Sequence, residues 1–275
     1  MLKNYIRYYW STDFLQSGSG GFEVRSFADR YPRLVFQLSD RFEPMCSLQG
    51  EKLPLCYLSG IQTQKTAAAF DGVFSQFGVS FYPHALNAFF RIDAAELLNQ
   101  VLAIECFCKT DLHCQLEQAG SHRNRVEVLN AYFYGKLFNS SKQNLLINHI
   151  IRKNEININS EIFELPKKYN ISQRQLERLF KTSLGISPKK LQRIIRFEKA
   201  LQLLSNTAYR QLTTISYELN YTDQSHFIKD FNAFSGTTPY QFVATKNLGA
   251  ESGSFLYASV EKKAHQQQHL KTNYI

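Results

Sequence analysis

An internal repeat in the C-terminal third of the chain constrains the fold most strongly. The segment LERLFKTSLGISP recurs as FIKDFNAFSGTTP at an offset of 51 residues, and YNIS just upstream recurs as LNYT at an offset of 50. Self-similarity of this kind indicates that one supersecondary unit is used twice. The apolar, glycine and proline positions match, and only the second pair loses its apolar character: Leu176, Leu179, Phe180, Gly185 and Pro188 correspond to Phe227, Asp230, Phe231, Gly236 and Pro239.

Each copy has the sequence pattern of a helix-turn-helix unit. A short apolar helix is followed by an Asn that suits a left-handed backbone, then by Ser172 or Thr222 as the predicted N-cap, and then by a second helix. Pro166 departs from the pattern, because proline costs roughly 3 kcal/mol inside a helix unless it starts one. The first helix of the first copy is therefore expected to be short and to begin at Pro166.

The second helix of each copy is predicted to be amphipathic. Leu176, Leu179 and Phe180 form an inward stripe in the first copy, and three phenylalanines do so in the second. The outer faces are polar, and Arg178 and Lys229 occupy equivalent positions. Between the copies, QRIIRFEKALQLLS predicts a long helix that begins near Pro188. Such a helix is long enough to hold the two units about one turn of DNA apart, near 34 Å.

Positive charge is concentrated in the same region. The formal net charge is +9, and between Pro166 and Lys199 the only acidic residues are Glu177 and Glu198. A basic outer face on one helix is common on any solvated helical bundle, whereas two matched units joined by a helical spacer favour DNA binding. The basic residues of this segment are Lys167, Lys168, Arg174, Arg178, Lys181, Lys189, Lys190, Arg193, Arg196 and Lys199.

Residues 145–245 resemble the DNA-binding domain of the AraC/XylS family of bacterial transcription regulators, in which a long helix joins two helix-turn-helix units. The DQSHF element and the F-x-x-x-x-G-x-x-P pattern carry the resemblance. It implies that each unit reads bases in its own segment of the major groove, where Arg suits guanine and Gln suits adenine. The implied base-reading residues are Gln173, Arg174, Gln175 and Arg178, followed by Gln224, Ser225, His226 and Lys229. Phosphate contacts, which add affinity without sequence information, are expected from Lys181, Lys189 and Lys190.

The remainder of the chain predicts an α+β protein. Residues 1–92 contain strand-like segments such as YPRLVFQLSD, CYLSGIQTQ and GVFSQFGVSFYP, which predict a β barrel or sandwich. The resemblance implies that this part is a cupin-like sensor domain. Apolar residues at helical spacing predict a helical connector or dimerisation region at 93–144, with an Asn- and Ser-rich hinge near 139–160. The polar tail at 246–275 is expected to be loosely ordered.

Several classes of function find little support in the sequence. No metal cluster, phosphate loop or nucleophile triad is recognisable, so no catalytic residue, cofactor or metal is expected, although His84 with Cys46 or Cys56 offers an enzymatic alternative. The segment CFCKTDLHC places Cys106, Cys108, His113 and Cys114 close together but lacks the paired C-x-x-C knuckles of zinc sites. Five cysteines form an odd set that fits a reducing compartment. Apolar runs are too short for a membrane span, and a cytoplasmic protein is expected.

Two readings of the N-terminal part stay open. In the first, it binds a small-molecule effector and changes how the two units sit on DNA. In the second, the protein binds DNA without a ligand, and the aromatic side chains of the barrel serve only as a core and a dimer surface. An enclosed pocket with a few convergent polar groups would favour the first, and a filled barrel without a cavity would favour the second. Double-stranded DNA is the expected partner, and an effector, a second copy of the chain and RNA polymerase are candidate partners.

Overall fold

The computed structural model describes residues 1–15, 21–38, 44–47, 49–71, 74–90, 92–106, 111–138, 145–205, 211–245, 255–259 and 267–274. Two antiparallel sheets form the N-terminal part, and helices form the C-terminal part, so the predicted α+β class is confirmed. In the part of the chain that is described, no helix has both the length and the hydropathy of a membrane span.

The two sheets face each other. The first contains, in spatial order, Gln267–Tyr274 (β10), Ile6–Leu15 (β1), Phe74–Phe81 (β7), Arg33–Gln37 (β3), Cys56–Ser59 (β5) and Val101–Ala103 (β8). The second contains Cys46–Ser47 (β4), Thr66–Asp71 (β6), Gly21–Ser26 (β2) and Phe255–Ser259 (β9). The strands predicted at LVFQ, CYLS and FSQFGVSF are confirmed as β3, β5 and β7.

Side-chain alternation gives the first sheet two different faces. Tyr9 and Phe77 point to an outer face that packs on helices Ala85–Phe89 (α1) and His122–Phe138 (α3). Phe133 of α3 lies with its ring centroid 4.7 Å from that of Phe89 and 5.4 Å from that of Phe81. The inner face, towards the second sheet, carries the smaller cluster Tyr8, Trp10, Val35 and Tyr57. The main N-terminal core therefore lies outside the space between the sheets.

The predicted helical connector is partly wrong. The helices expected at NRVEVLNAYFYGKLF and NLLINHIIRK are confirmed as α3 and as Leu145–Arg152 (α4), and Leu112–Gln118 forms α2. The helix expected at AAELLNQVLAIE is instead a series of turns followed by β8. Leu97 is buried in the N-terminal core, Asn99 reverses the chain at φ 57°, and Leu102 pairs with Leu58. The edge of β5 thus overrides the local helical spacing. Of the predicted hinge, residues 139–144 lie outside the described part of the chain.

The predicted loosely ordered tail is also wrong where the tail is described. Strand β9 pairs antiparallel with β2, and β10 pairs antiparallel with β1 over eight residues. The backbone groups along these edges need hydrogen-bond partners, and an added strand supplies them. The C-terminus therefore contributes one strand to each sheet.

Helices account for the C-terminal part. Following α4, they are the short 3-10 helix Ile162–Glu164, Leu165–Lys168 (α5), Gln173–Leu184 (α6), Pro188–Ser205 (α7), Leu212–Glu218 (α8), Gln224–Ser235 (α9) and Pro239–Thr245 (α10). Helix α5 has only four residues and carries Pro166 at its start, which confirms the short first helix. Helix α7 begins at Pro188, as predicted, and its 18 residues span about 27 Å.

The two parts share one hydrophobic core. Phe27 from the N-terminal part packs edge-on against Phe197 of α7 and Phe242 of α10, with centroid distances of 6.2 and 5.9 Å. The Ala28 amide donates a hydrogen bond to the Phe234 carbonyl at 3.1 Å. These contacts hold the end of α9 against the sheets.

Candidate nucleic-acid interface and interior cavity

Local sequence fixes both ends of α6. Asn170 takes the left-handed conformation at φ 50°, as predicted. The Gln175 amide donates to Ser172 Oγ at 3.2 Å, and the Ser172 amide donates to Gln175 Oε1 at 2.8 Å, which is a complete capping box. At the other end Gly185, at φ 78°, donates its amide to the Lys181 carbonyl at 2.9 Å. The predicted N-cap and glycine stop are confirmed.

The second unit follows the same plan with one difference. Asn220 is left-handed at φ 57° and Gly236 ends α9 at φ 72°. The N-cap is Asp223, whose Oδ1 accepts from the His226 amide at 2.8 Å, so the prediction of Thr222 is wrong by one residue. The repeat offset grows from 50 to 51 at this point, and the extra residue brings in a carboxylate that caps at least as well as threonine.

The predicted base-reading residues lie on the outer faces of α6 and α9. Leu176 and Phe227 are buried beneath them, as predicted. Gln224, one of the predicted base-reading residues, is less available for contact with a base, because it is half-buried and its Oε1 accepts from Thr213 Oγ1 at 2.6 Å. The other members are exposed: Gln173, Arg174, Gln175, Arg178, Ser225, His226 and Lys229. The structure thus gives two polar faces on matched helices, and base reading by these residues stays a prediction.

The predicted phosphate-binding lysines differ in setting. Lys181 and Lys189 are exposed. Lys190 is half-buried, with its ammonium 4.8 Å from the ring centroid of Phe234. Burial, followed by the nearby Arg193, lowers the pKa of Lys190. Lys181 and Lys189 are therefore better placed for a phosphate than Lys190.

An ion pair that the sequence analysis missed joins α9 to the spacer helix α7. Arg193 donates to Asp230 in a bidentate geometry, at 2.5 Å from Nη2 and 3.2 Å from Nε. Asp230 is buried, and burial together with this carboxylate raises the pKa of neighbouring Tyr221. The signal was visible in the repeat, because Asp230 replaces the apolar Leu179 of the first copy. The second unit is thus tied to α7 by an ion pair, in addition to the ring contacts of Phe197 with Phe231 and Phe234.

A cavity of about 870 Å³ lies between the two sheets. Tyr8, Trp10 and Tyr57 line its floor on the first sheet. Burial, the largest cause, raises the pKa of Tyr57 to about 12. Buried Gln62 and Gln76 contribute amides to the lining. The turn 235–237, which follows α9, forms part of the wall, so the cavity reaches the second helix-turn-helix unit.

Polar contacts continue from this cavity to α7. Buried Arg33, which lines the cavity, donates to Asp29. Asp29 Oδ1 accepts from the Tyr31 amide at 3.0 Å. The adjacent Arg30 places Nε 3.0 Å from Glu198 Oε2 on α7. Two ion pairs, Arg33 with Asp29 and Arg30 with Glu198, therefore lie between the cavity lining and the spacer helix.

Two other sequence features occupy defined places. His84 is buried beside the rings of Tyr5 and Tyr82, and burial lowers its pKa to about 4. In the described residues, His113, Cys114 and Glu117 bring one ligand atom each within 4.8 Å of one another. His113 Nε2 already lies 3.2 Å from the Gln37 carbonyl oxygen and 3.4 Å from Glu117 Oε1. We assign no metal to this group.

Comparisons with known proteins agree with the two-part architecture. Residues 165–245 match the family model described as a helix-turn-helix domain, and residues 1–103 match a domain of unknown function, DUF6597. The curated raffinose operon transcriptional regulatory protein RafR from Pediococcus pentosaceus is 35% identical over 88 residues, which is 32% of this chain and 31% of that protein. The match thus spans about a third of the relative.

Solved structures with a similar arrangement share little sequence. ToxT from Vibrio cholerae is 9% identical, with a TM-score of 0.47, over 86% of this chain and 98% of that chain. ToxT bound to (E)-4-(8-methylnaphthalen-1-yl)but-3-enoic acid is 10% identical, with a TM-score of 0.44, over 88% of this chain and 100% of that chain.

The assignment rests on the C-terminal part, where sequence pattern, structure and family match coincide. The matched residues 165–245 contain both capped helices, both glycine stops and the spacer between them. The relative that matches in sequence is named as a transcriptional regulatory protein. Residues 165–245 therefore form a helix-turn-helix domain with two units, and this domain is similar to the DNA-binding domain of AraC/XylS-family transcription regulators.

Proposed function

We propose that this protein is a sequence-specific DNA-binding transcription regulator whose helices α6 and α9 enter adjacent segments of the major groove. The observation that carries the proposal is the pair of matched helices with exposed polar outer faces, each held at both ends by its own cap and glycine. The second helix of a helix-turn-helix unit is the one that reads base edges. Helix α7, about 27 Å long, supports a spacing near one turn of DNA.

The base-reading roles follow from side-chain chemistry. Arg174 and Arg178 offer guanidinium groups that suit guanine O6 and N7, and Gln173 offers an amide that suits adenine N6 and N7. Gln175 Oε1 is already engaged in the capping box, and Gln224 Oε1 accepts from Thr213. We therefore expect Arg178 and Lys229, at equivalent and exposed positions, to dominate discrimination in their respective segments.

Control by a ligand is the second element of the proposal. A partly open cavity with polar side chains in its lining lies between the two sheets, which favours sensing over a purely dimerising role for the N-terminal part. Its wall includes the turn 235–237 after α9, and the Arg33–Asp29 pair connects its lining towards Glu198 of α7. An effector acts only if it binds the DNA-competent and incompetent arrangements differently, which requires that the turn 235–237 differ between those arrangements.

Further partners belong to the same proposal. A second copy of the chain and RNA polymerase are the candidate protein partners, and Tyr134 on α3 is half-exposed on the outer helical layer, where a second copy would find an apolar contact. We propose no catalytic step and no cofactor, and we place the protein in the bacterial cytoplasm, where its DNA lies. Sedimentation of the full chain with and without operator DNA reports the stoichiometry.

The test of DNA reading is selection of bound sequences from a random duplex pool at one fixed salt concentration. We expect a two-part motif with its parts about 10 base pairs apart. Arg178→Ala should relax one part and Lys229→Ala the other, each by about 1–3 kcal/mol at the contacted base pair. Arg123→Ala, an exposed basic residue of α3 outside the C-terminal part, is the matched control and should leave the motif intact. Salt-sensitive binding without any enriched motif would refute sequence-specific reading.

A further inference from the structure

We propose that residues 154–160 form a bridge that sets the position of the second helix-turn-helix unit relative to the first. Through this bridge, Asn159 and Asn220 determine which spacing between the two parts of a DNA site the protein accepts. Both are positioning residues, because they act on how α6 and α9 are held and not on a base. The inference rests on the proposed function, since it concerns the two helices proposed to read DNA.

The bridge is attached at its start to α4 and α5. It lies in the Asn- and Ser-rich stretch for which the sequence predicts a hinge. Asn154 reverses the chain at φ 51°, and the Glu155 amide donates to the Ile150 carbonyl at 3.0 Å, which ends α4. The Glu155 carboxylate pairs with Lys168 of α5, and Ile156 is buried in the C-terminal core. The bridge is thus fixed beside the first unit.

The middle of the bridge is held by its own hydrogen bonds and by the spacer helix. Asn157 Oδ1 accepts from the Asn159 amide at 2.9 Å, and the Asn157 amide donates to Ser160 Oγ at 2.7 Å. Gln192 of α7 is buried, and its Nε2 donates to the Asn157 carbonyl at 2.9 Å and to the Ser160 carbonyl at 2.8 Å. The segment therefore has a defined shape and a second attachment, to α7.

The far side of the bridge contacts the second unit. Asn220, in the turn before α9, donates from Nδ2 to Asn159 Oδ1 at 2.8 Å and to the Ile158 carbonyl at 3.3 Å. The apolar core that the two units share is non-directional, whereas hydrogen bonds require particular distances and angles. The Asn220 contacts therefore favour one orientation of the second unit among those that the core alone would permit.

The first copy of the repeat supplies a matched comparison. Asn170 is the equivalent of Asn220, and both are exposed and left-handed, at φ 50° and 57°. In the part of the chain that the structure describes, the Asn170 side chain has no hydrogen-bond partner. The two asparagines thus share a backbone role, and Asn220 alone adds a contact with the bridge. Substitution by glycine keeps the left-handed backbone at either position and removes only the side-chain amide.

The experiment measures binding of the full-length protein to duplexes that carry the two parts of the motif selected by the wild type. One duplex has the selected spacing, and the other has one base pair inserted between the parts, which moves them apart by about 3.4 Å and rotates them by about 35°. We expect Asn220→Gly to reduce the preference for the selected spacing by about fivefold or more. Asn170→Gly should keep the wild-type preference. An unchanged preference in Asn220→Gly, or an equal loss in Asn170→Gly, overturns the proposal.

Variants of Asn159 test the same contact from the side of the bridge. Asn159→Ala removes the oxygen that accepts from Asn220, whereas Asn159→Asp keeps an acceptor at that place. We expect the alanine variant to lose spacing preference and the aspartate variant to retain it. The comparison uses the ratio of affinities for the two duplexes, so a charge effect that acts on both alike cancels. A loss of affinity that is equal for both duplexes in Asn159→Ala overturns the positioning role.

A distance measurement on the free protein tests the bridge without DNA. Thr182 and Ala233 are exposed, occupy equivalent positions near the ends of α6 and α9, and can carry spin labels on unnatural amino acids, which leaves the five cysteines untouched. We expect a narrow distance distribution in the wild type and in Asn170→Gly, and a broader one in Asn220→Gly. Equal widths in all three proteins overturn the bridge.

The two readouts separate the bridge from the proposed function. If the wild type selects no two-part motif but the distance distribution broadens only in Asn220→Gly, the reading function fails and the bridge stands. If the wild type selects a two-part motif and the distributions have equal widths, the bridge alone is removed.

Discussion

Gly185 and Gly236 end the two equivalent helices α6 and α9 in the same left-handed conformation, at φ 78° and 72°. Replacing either glycine by alanine lowers the free energy of unfolding by about 1–2 kcal/mol, because alanine disfavours the left-handed conformation. The same substitution restores about 0.4–1 kcal/mol, because alanine has less conformational freedom than glycine in the unfolded chain. The backbone cost of the substitution is therefore nearly the same at both sites, which makes them a matched pair.

The two sites differ in what an added Cβ meets. At Gly185 the nearest atom is the carbonyl oxygen of Ala94, 2.5 Å away, which belongs to the backbone of the N-terminal part. At Gly236 the nearest atoms are the outer carbons and the ammonium of Lys65, an exposed side chain that can move aside. Displacing backbone adds about 1–3 kcal/mol of overpacking. We expect Gly185→Ala to cost about 2–4 kcal/mol and Gly236→Ala about 1 kcal/mol.

Thermal unfolding followed by far-ultraviolet circular dichroism measures the difference. For a chain of this size 1 kcal/mol lowers Tm by about 2–4 °C, so Gly185→Ala should lower it by about 4–16 °C and Gly236→Ala by about 2–4 °C. Hydrogen exchange adds a local readout, because the Glu96 amide donates to the Asp93 carbonyl at 3.0 Å in the turn that contains Ala94. Its exchange should accelerate in Gly185→Ala. Equal Tm shifts in the two variants would refute the docking of α6 against the N-terminal part.

Three further predictions concern single side chains. Asp230→Ala should lower the free energy of urea unfolding by about 2 kcal/mol, which is less than for a fully buried pair because the Arg193 side chain is 37% exposed. The double variant Asp230→Leu with Arg193→Met should recover most of that loss. No recovery in the double variant would count against the ion pair as the cause. Burial lowers the pKa of His84 from 6.5 to about 4 in the folded protein, so the unfolded state binds the extra proton and stability falls as pH drops below 6.5, by about 2 kcal/mol at pH 5. His84→Phe should therefore reduce the difference in Tm between pH 8 and pH 5. An unchanged difference would contradict this role of His84. Pro166→Ala should destabilise by about 1 kcal/mol or less, since proline already sits at the start of α5, whereas a gain in Tm would mean that proline is strained there.

Local signals predicted the C-terminal part well. Capping residues, left-handed asparagines and helix-ending glycines act through contacts with residues a few positions away. Helices α6, α7 and α9 could therefore be predicted from the sequence. The single misplaced cap, at Asp223 instead of Thr222, arose where the two copies differ by one inserted residue. Strands β3, β5 and β7 could also be predicted from the sequence, because their apolar and aromatic runs are bounded by turn residues.

The N-terminal elements that were missed depend on partners distant in sequence. The segment around Leu97 has helical spacing but lies beside an open edge of β5, and pairing of Leu102 with Leu58 outweighs a weak local preference. Strands β9 and β10 form from a polar tail because β1 and β2, more than 200 residues earlier, present backbone groups that need partners.

Caps, glycines and apolar stripes are local and repeat along the chain, so they are enough to predict two helix-turn-helix units joined by one basic spacer helix. The surroundings of these units depend on tertiary contacts. The partner of Asp230 lies 37 residues away in α7, and the cavity exists because two sheets meet without filling the space between them. No single segment encodes either feature, since both depend on which side chains from distant strands and helices come to face each other.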